Sequence, residues 1–160
     1  MASCEVAIAI INYNTRTWLA SCLDSILKAP PLVAYEIFLV DNASTDGSVD
    51  FVKENYPSVH VIDNAGNLGY SAAANQAIRT SEAKYVLVLN TDTELDPEVI
   101  DILVEFGDAH EDMGVAGPKL LNADGTIQIS GRQFPSFIDA TAHAFLGIIW
   151  PANPFSVRYK

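Results

Sequence analysis

The sequence predicts an α/β protein in which a mostly parallel, Rossmann-like sheet is covered by helices on both faces. Three observations carry this. Short aliphatic runs, among them "VAIAII", "IFLV" and "YVLVL", lack the polar alternation of a half-exposed strand and suit strands buried on both sides. The segments between them place apolar residues at helical spacing. Strand and helix then alternate along the chain, which requires crossover connections and builds a three-layer sandwich.

The first strand is Val6 to Ile11, and it stops at Asn12-Tyr13-Asn14. From Thr15, the residues Trp18, Leu19, Cys22, Leu23, Ile26 and Leu27 mark one face of a helix that Pro30-Pro31 closes, and Trp18 is expected in the core. Glu36 to Val40 forms the second strand. Asp46-Gly47-Ser48 then turns the chain into a helix ending near Asn55. Val59 to Ile62 is a short third strand, and "NAGNLGYS" is a loop into a helix over Ser71 to Thr80, whose alanines allow close packing on a sheet. Tyr85 to Leu89 is the fourth strand.

Asp96 and Pro97 read as the cap and first residue of a helix running to Ala109. Next, "GVAGPKLL" and "TIQIS" flank Asn122-Ala123-Asp124-Gly125 as a hairpin. Residues 131–160 carry aromatics and prolines without a sustained period and are expected to be irregular. The 160 residues are read as a single domain, long enough to bury a core.

With 49% hydrophobic and 18% charged residues, the chain is globular rather than disordered. Its 20 acidic and 9 basic side chains leave a formal net charge of -11, which repels nucleic-acid backbones and anionic membrane surfaces. An anionic ligand therefore needs a local cation or a bound metal. Cys4 and Cys22 give neither a disulfide framework nor a metal-ligand spacing, so a reducing, cytoplasmic setting is expected. The apolar runs are too short to span a bilayer, so no membrane span is expected in this chain.

In sheets of this kind, ligands bind outside the carboxyl ends of the strands. Four polar clusters fall there: Asn12 to Asn14, Asp41 to Asp46, Asn67 to Tyr70 and Asn90 to Glu94. Asp92 could hold a divalent cation, since magnesium takes one or two carboxylates and completes its shell with water and phosphate oxygens. It could equally do no more than turn the chain. Asp41 is suited to accept hydrogen bonds from a base or ribose, against the alternative of an Asx-turn with Ser44. For Asp46 and Asp96 a structural role is favoured.

The glycines of "NAGNLGYS" let backbone amides approach a ligand ahead of a helix N-terminus. Neither the dinucleotide nor the P-loop glycine fingerprint occurs. His60, His110 and His143 lie in separate elements, and no serine or cysteine sits in a nucleophile context, so hydrolase chemistry has little support.

Taken together, "IAIINYNTRTWLASCLDSIL", "EIFLVDNASTDGS", "NAGNLGYSAAANQAI", "YVLVLNTDTELDPEVI" and "GPKLLNADGTIQISGRQFPS" resemble the family 2 glycosyltransferases, particularly rhamnosyltransferase-like members, over the first 135 residues or so. The resemblance implies the A-type glycosyltransferase fold and transfer of a sugar, with inversion, from a nucleoside-diphosphate donor to a glycan or lipid-linked acceptor. It places Asn12, Tyr13 and Asn14 against the base and ribose, and Asp41 on the base with Asn42 and Ser44 beside it. Asn67 and Gly69 match the loop near the base and diphosphate, and Asn75 lies on the helix that follows. Asn90-Thr91-Asp92 occupies the place of the family's D-x-D motif, with Asn at the first acidic position, so Asp92 carries the contact to Mg2+ or Mn2+. A UDP- or dTDP-sugar is the implied partner, rhamnose being the leaning, in polysaccharide or cell-surface glycan assembly.

One departure bears on catalysis. An inverting transferase needs a base for the acceptor hydroxyl, and the family supplies it from a later acidic motif. After Asp139 this chain has no Asp or Glu. The expectation is a donor-binding part that binds without efficient transfer. The rivals are a catalytically silent nucleotide-sugar-binding module, a nucleotidyltransferase, disfavoured by Asn12-Tyr13-Asn14 where a basic Gly-rich loop belongs, and a flavodoxin-like signalling domain, which leaves Asn90 to Glu94 unexplained.

Overall fold

The computed structural model describes residues 4–128, with Ser130, Phe145 and Trp150. The chain divides into two compact units, Met1–Gly117 and Pro118–Lys160. In the first, the order is β1 (Val6–Asn12), α1 (Arg16–Leu27), β2 (Tyr35–Asp41), α2 (Ser48–Asn55), β3 (His60–Asp63), α3 (Tyr70–Thr80), β4 (Tyr85–Asn90) and α4 (Val99–Ala109). The strands form one parallel sheet in the order β3-β2-β1-β4.

The pleat sorts side chains to two faces. Val6, Ile8 and Ile10 of β1, Ile37 and Leu39 of β2, and Leu89 of β4 pack with Leu19, Cys22, Leu23 and Ile26 of α1, Val52 of α2, and Ile100 and Val104 of α4. The opposite face sets Ala7, Ala9, Ile11, Phe38 and Val40 against Ala73, Ala74 and Ala77 of α3. This is the predicted three-layer sandwich. β1 lies between two strands and two helical layers, and all seven of its residues are buried, which is why "VAIAII" shows no alternation. Each buried Ile or Leu contributes about 1.5–3 kcal/mol relative to an exposed one.

Two expectations are corrected. Trp18 is not in the core but 59% exposed. The buried stripe of α1 is Leu19, Cys22, Leu23 and Ile26, and Trp18 sits in the first turn, which overhangs the strand ends instead of lying over the sheet. The second concerns α4, which begins at Val99 rather than at Pro97, and its cap residue is Glu98, held at φ 69°. Leu95 is anchored by its N–H to the Ser25 hydroxyl at 3.1 Å, and both Leu95 and Val99 pack against the core. The left-handed Glu98 interrupts the backbone between them, so the helix starts only after it.

The second unit shows the predicted hairpin as a single antiparallel bridge between Leu121 and Ile127. Asn122 N–H donates to Thr126 O, and Gln128 N–H to Leu120 O. Gly125 takes φ +81° in the turn, a conformation open to glycine at no steric cost. Apart from Phe145 and Trp150, the segment 131–160 lies outside the described residues. Among the described residues, no helix is long and apolar enough to cross a membrane.

Candidate donor-binding site

The strand order reverses between β1 and β4, and a crevice at such a switch point is where open parallel sheets bind ligands. The register pairs Asn12 with Asp41, Ile11 with Asn90 and Asp41 with Asp63, so four polar strand ends meet along one edge. A cleft of about 770 Å³ opens there. From β1 and its loop it takes Ile11, Asn12, Tyr13 and Thr15, and from the first turn of α1, Trp18. Asn42 enters from the end of β2, Asn67, Gly69 and Tyr70 from the start of α3, and Asn90, Thr91 and Asp92 from the end of β4.

The floor is a buried hydrogen-bond network. Asn12, fully buried, donates from Nδ2 to Asp41 Oδ1 at 2.5 Å and to Ser44 Oγ at 3.0 Å. Its Oδ1 accepts from the Thr15 hydroxyl at 2.6 Å, and Thr15 Oγ lies 2.7 Å from Thr91 Oγ. Asp41 also accepts from the Ser44 N–H and hydroxyl, both at 2.7 Å, which is the Asx-turn geometry. Every polar side chain that is buried here has a partner.

Two loop residues hold strained backbone. Asn14 sits at φ 54° and Ala43 at φ 64°, left-handed conformations that cost a non-glycine residue free energy. Asn14 is retained because its Oδ1 accepts the Thr45 N–H at 2.8 Å while its own N–H donates to Ser44 Oγ at 2.9 Å. Asp46 serves both neighbouring helices, accepting the Arg16 N–H of α1 at 2.9 Å and the Ser48 N–H and hydroxyl of α2 at 3.1 and 2.5 Å. Its structural role is as expected.

The opposite wall is set by amides. Asn64 donates to Asn42 Oδ1 at 3.1 Å and exchanges two hydrogen bonds with Gln76 of α3 at 2.9 and 2.8 Å. Asn67 Oδ1 accepts the Gly69 N–H at 2.9 Å, which folds the loop into the helix, and Gly69 takes φ +82°.

Three rings, Tyr13, Trp18 and Tyr70, stand half-exposed on the rim. Burial, followed by the charge of Asp92, pushes the Tyr70 phenol up, so it remains protonated at neutral pH. Beneath the β4 end, burial raises the Cys22 thiol to about 11, the charges of Asp92 and Glu94 adding to this against a hydrogen bond from Thr93. Cys22 is therefore a packed thiol rather than a nucleophile.

Of the residues singled out from the sequence, Asn12, Tyr13, Asn42, Asn67, Gly69, Asn90 and Asp92 line the cleft. Asp41 and Ser44 lie behind that lining and hold it, while Asn14, itself exposed, ties the β1 loop to Ser44 and Thr45. Thr15, Trp18, Tyr70 and Thr91 line the cleft without having been chosen. Tyr70 and Thr91 belong to polar clusters already recognised at strand ends, whereas Trp18 was masked by its place in an apolar helical stripe. Among the described residues, no lysine or arginine lines the cleft, and Asp92 is the one carboxylate. Among the described residues there is no group of three or more His, Cys, Asp or Glu side chains able to hold a metal. Asp92 alone fits the minimal protein share of a magnesium shell whose other oxygens come from phosphate and water.

Residues 7–151 match the family model for glycosyl transferase family 2. The chain is 34% identical over 135 residues to an N-acetylglucosaminyl-diphospho-decaprenol L-rhamnosyltransferase of Mycobacterium tuberculosis, covering 78% of this chain and 44% of that one. It is 34% identical over 101 residues to a poly(ribitol-phosphate) beta-glucosyltransferase of Bacillus spizizenii, covering 60% of this chain and 16% of that one. Among solved structures it is similar to S. aureus TarS 1–349, with a TM-score of 0.62 at 20% identity over 82% of this chain and 38% of that one. The same protein in complex with UDP-GlcNAc gives a TM-score of 0.60 at 21% identity, over 76% of this chain and 41% of that one. This chain spans less than half the length of the curated relatives it matches.

Proposed function

The chain belongs to glycosyl transferase family 2, and from that membership we propose that its cleft binds a nucleoside-diphosphate sugar whose glycosyl group the whole protein transfers, with inversion, to a glycan or lipid-linked acceptor. The observation that carries this reading is the cleft's composition at the switch point, which among the described residues is neutral amides, three rim aromatics, one carboxylate and no cation. Amides and rings suit a base and a ribose, which are polar at their edges and flat on their faces. Asn12, Tyr13 and Asn42 sit at the base end, with Asp41 and Ser44 ordering that end from behind and Asn14 tying the β1 loop to Ser44. Asn67, Gly69 and Asn90 flank the diphosphate path.

The charge balance supports a metal. A diphosphate entering a chain of net charge -11, beside Asp92 and with no Lys or Arg among the described lining residues, calls for a counter-charge that a bound metal can supply. Asp92 is the residue to hold Mg2+ or Mn2+, which when bound would neutralise the departing diphosphate. The relatives' printed activities and the UDP-GlcNAc complex of the TarS fragment fit a UDP- or dTDP-sugar donor, with rhamnose one of the candidate sugars. Deprotonating the acceptor calls for a further carboxylate. With Asp92 given to the metal, the lining offers none among the described residues, and these 160 residues are expected to bind donor without efficient transfer.

The test is calorimetric titration with UDP and dTDP, with and without Mn2+, of the chain and its Asp92→Ala variant. Metal-dependent binding that the variant loses supports the reading and tells which base is preferred. Binding of neither nucleotide overturns it.

A further inference from the structure

Thr15 stands in the capping position of α1, where a hydroxyl ordinarily accepts an N–H from the first helical turn, and its side chain makes no such bond. The Arg16 N–H goes instead to Asp46 at 2.9 Å. The hydroxyl turns into the cleft floor, donating to Asn12 Oδ1 at 2.6 Å and meeting Thr91 Oγ at 2.7 Å. On its other side Asn12 holds Asp41 at 2.5 Å. An unbroken path Asp41, Asn12, Thr15, Thr91 thus crosses beneath the cleft, from the end of β2 through the end of β1 to the residue before Asp92.

Proton bookkeeping fixes its direction. An amide oxygen only accepts, so the single Thr15 hydroxyl proton is committed to Asn12. Thr91 must therefore donate to Thr15, and its oxygen is left with lone pairs alone. Thr91 is 5% exposed and Asn12 fully buried, and Thr15 between them is half-buried.

We propose that Thr15 is a positioning residue that couples the nucleotide-binding end of the cleft to its Asp92 end. The proposal rests on the reading that Asp92 holds a divalent cation against a bound diphosphate. Thr15 is the one bond between the β1 loop and Thr91 in this path. With it in place, a nucleotide that orders the β1 loop also fixes Thr91 and the start of the Asp92 turn, so nucleotide and metal favour each other's binding. Without it, the direct attraction between cation and diphosphate remains, but the share of the coupling that runs through the cleft floor is lost.

The readout is the ratio of nucleotide affinity with Mn2+ to that without, measured by titrating UDP and dTDP into the 160-residue chain and its Thr15→Val, Thr15→Ser and Thr91→Val variants. In Thr15→Val and Thr91→Val the ratio is expected to fall about fivefold or more, the scale of a modest coupling between sites. Thr15→Ser, which keeps the hydroxyl, is expected to retain the wild-type ratio. An unchanged ratio in Thr15→Val, or an equal loss of affinity with and without metal, overturns the proposal, since a merely structural role lowers both alike. If Thr15→Val does not fold, Thr91→Val breaks the same bond from the other side and decides the matter. A wild-type chain whose nucleotide affinity ignores Mn2+ overturns the reading of Asp92 as the metal's residue, and this coupling with it, whereas binding of neither nucleotide overturns the donor site.

Discussion

The side-chain amide of Asn12 donates to the Asp41 carboxylate at 2.5 Å, across the paired ends of β1 and β2, with both residues inaccessible to solvent. The bond ties the cleft lining to a carboxylate that does not itself line it. Asn12→Leu keeps the branched outline and removes the donor, leaving the buried carboxylate with Ser44 as its remaining side-chain partner. A loss of about 1–3 kcal/mol or more is expected, the larger end because the acceptor is charged. Urea unfolding of the variant beside wild type measures it.

Asp46 caps α1 and α2 at once, so Asp46→Ala is expected to lose about 1–2 kcal/mol. Burial alone would raise the Asp46 carboxyl. The Ser48 hydroxyl and the N–H groups of Arg16 and Ser48 outweigh that, and its pKa ends below the ordinary value of 3.8. A depressed folded-state pKa contributes stability that is present above the unfolded value and lost as pH falls through the folded one. The stability gap between wild type and Asp46→Asn is therefore expected to be constant at neutral pH and to shrink below about pH 4. Thermal melts across pH 2 to 7 check this, and a gap that widens on acidification contradicts it.

A methyl group built on Gly107 of α4 would lie 2.9 Å from the Tyr85 ring, whose hydroxyl donates to Asp108 at 2.7 Å. Gly107→Ala gains about 1 kcal/mol of helix propensity. Against this, overpacking costs about 1–3 kcal/mol and drives the ring off Asp108. Net destabilisation is expected, relieved in a Tyr85→Leu background. A double-mutant cycle by chemical denaturation reports the coupling, and additivity of the two changes sinks the packing argument.

Trp18 is exposed on the cleft rim, so Trp18→Ala is expected to change stability by no more than about 0.5 kcal/mol. If the ring stacks on the bound nucleotide or sugar, the same change weakens donor binding by about tenfold, the lower end of measured base stacking. Titration with UDP separates these effects. A large drop in melting temperature instead would mean that the side chain supports the core.

Much of the sheet was legible because buried parallel strands leave an unmistakable apolar run, and β1, β2 and β4 each end in Asn or Asp. Polar residues placed straight after such runs mark the cleft edge. The misreadings share a cause. Whether Trp18 faces core or cleft depends on how far the first turn of α1 projects past the sheet, and the start of α4 depends on the anchoring of Leu95 to Ser25. Both are tertiary relationships between elements distant in sequence, on which local periodicity is silent. Thr15 was passed over for the same reason, since a threonine before a helix looks like a cap until its partners Asn12 and Thr91 are seen.

The alanine layer between β1 and α3 acts as a shim. Ala7 and Ala9 on the sheet meet Ala73, Ala74 and Ala77 on the helix, and that helix begins at the Gly69 and Tyr70 wall of the cleft. Side-chain size on this hidden face therefore sets how far one wall stands from the other. Adding a methylene at Ala9 or Ala73 would lift α3 and widen the mouth without touching any residue in it. The aperture offered to a ligand can thus be tuned, by selection or by an engineer, from positions on the far side of the sheet.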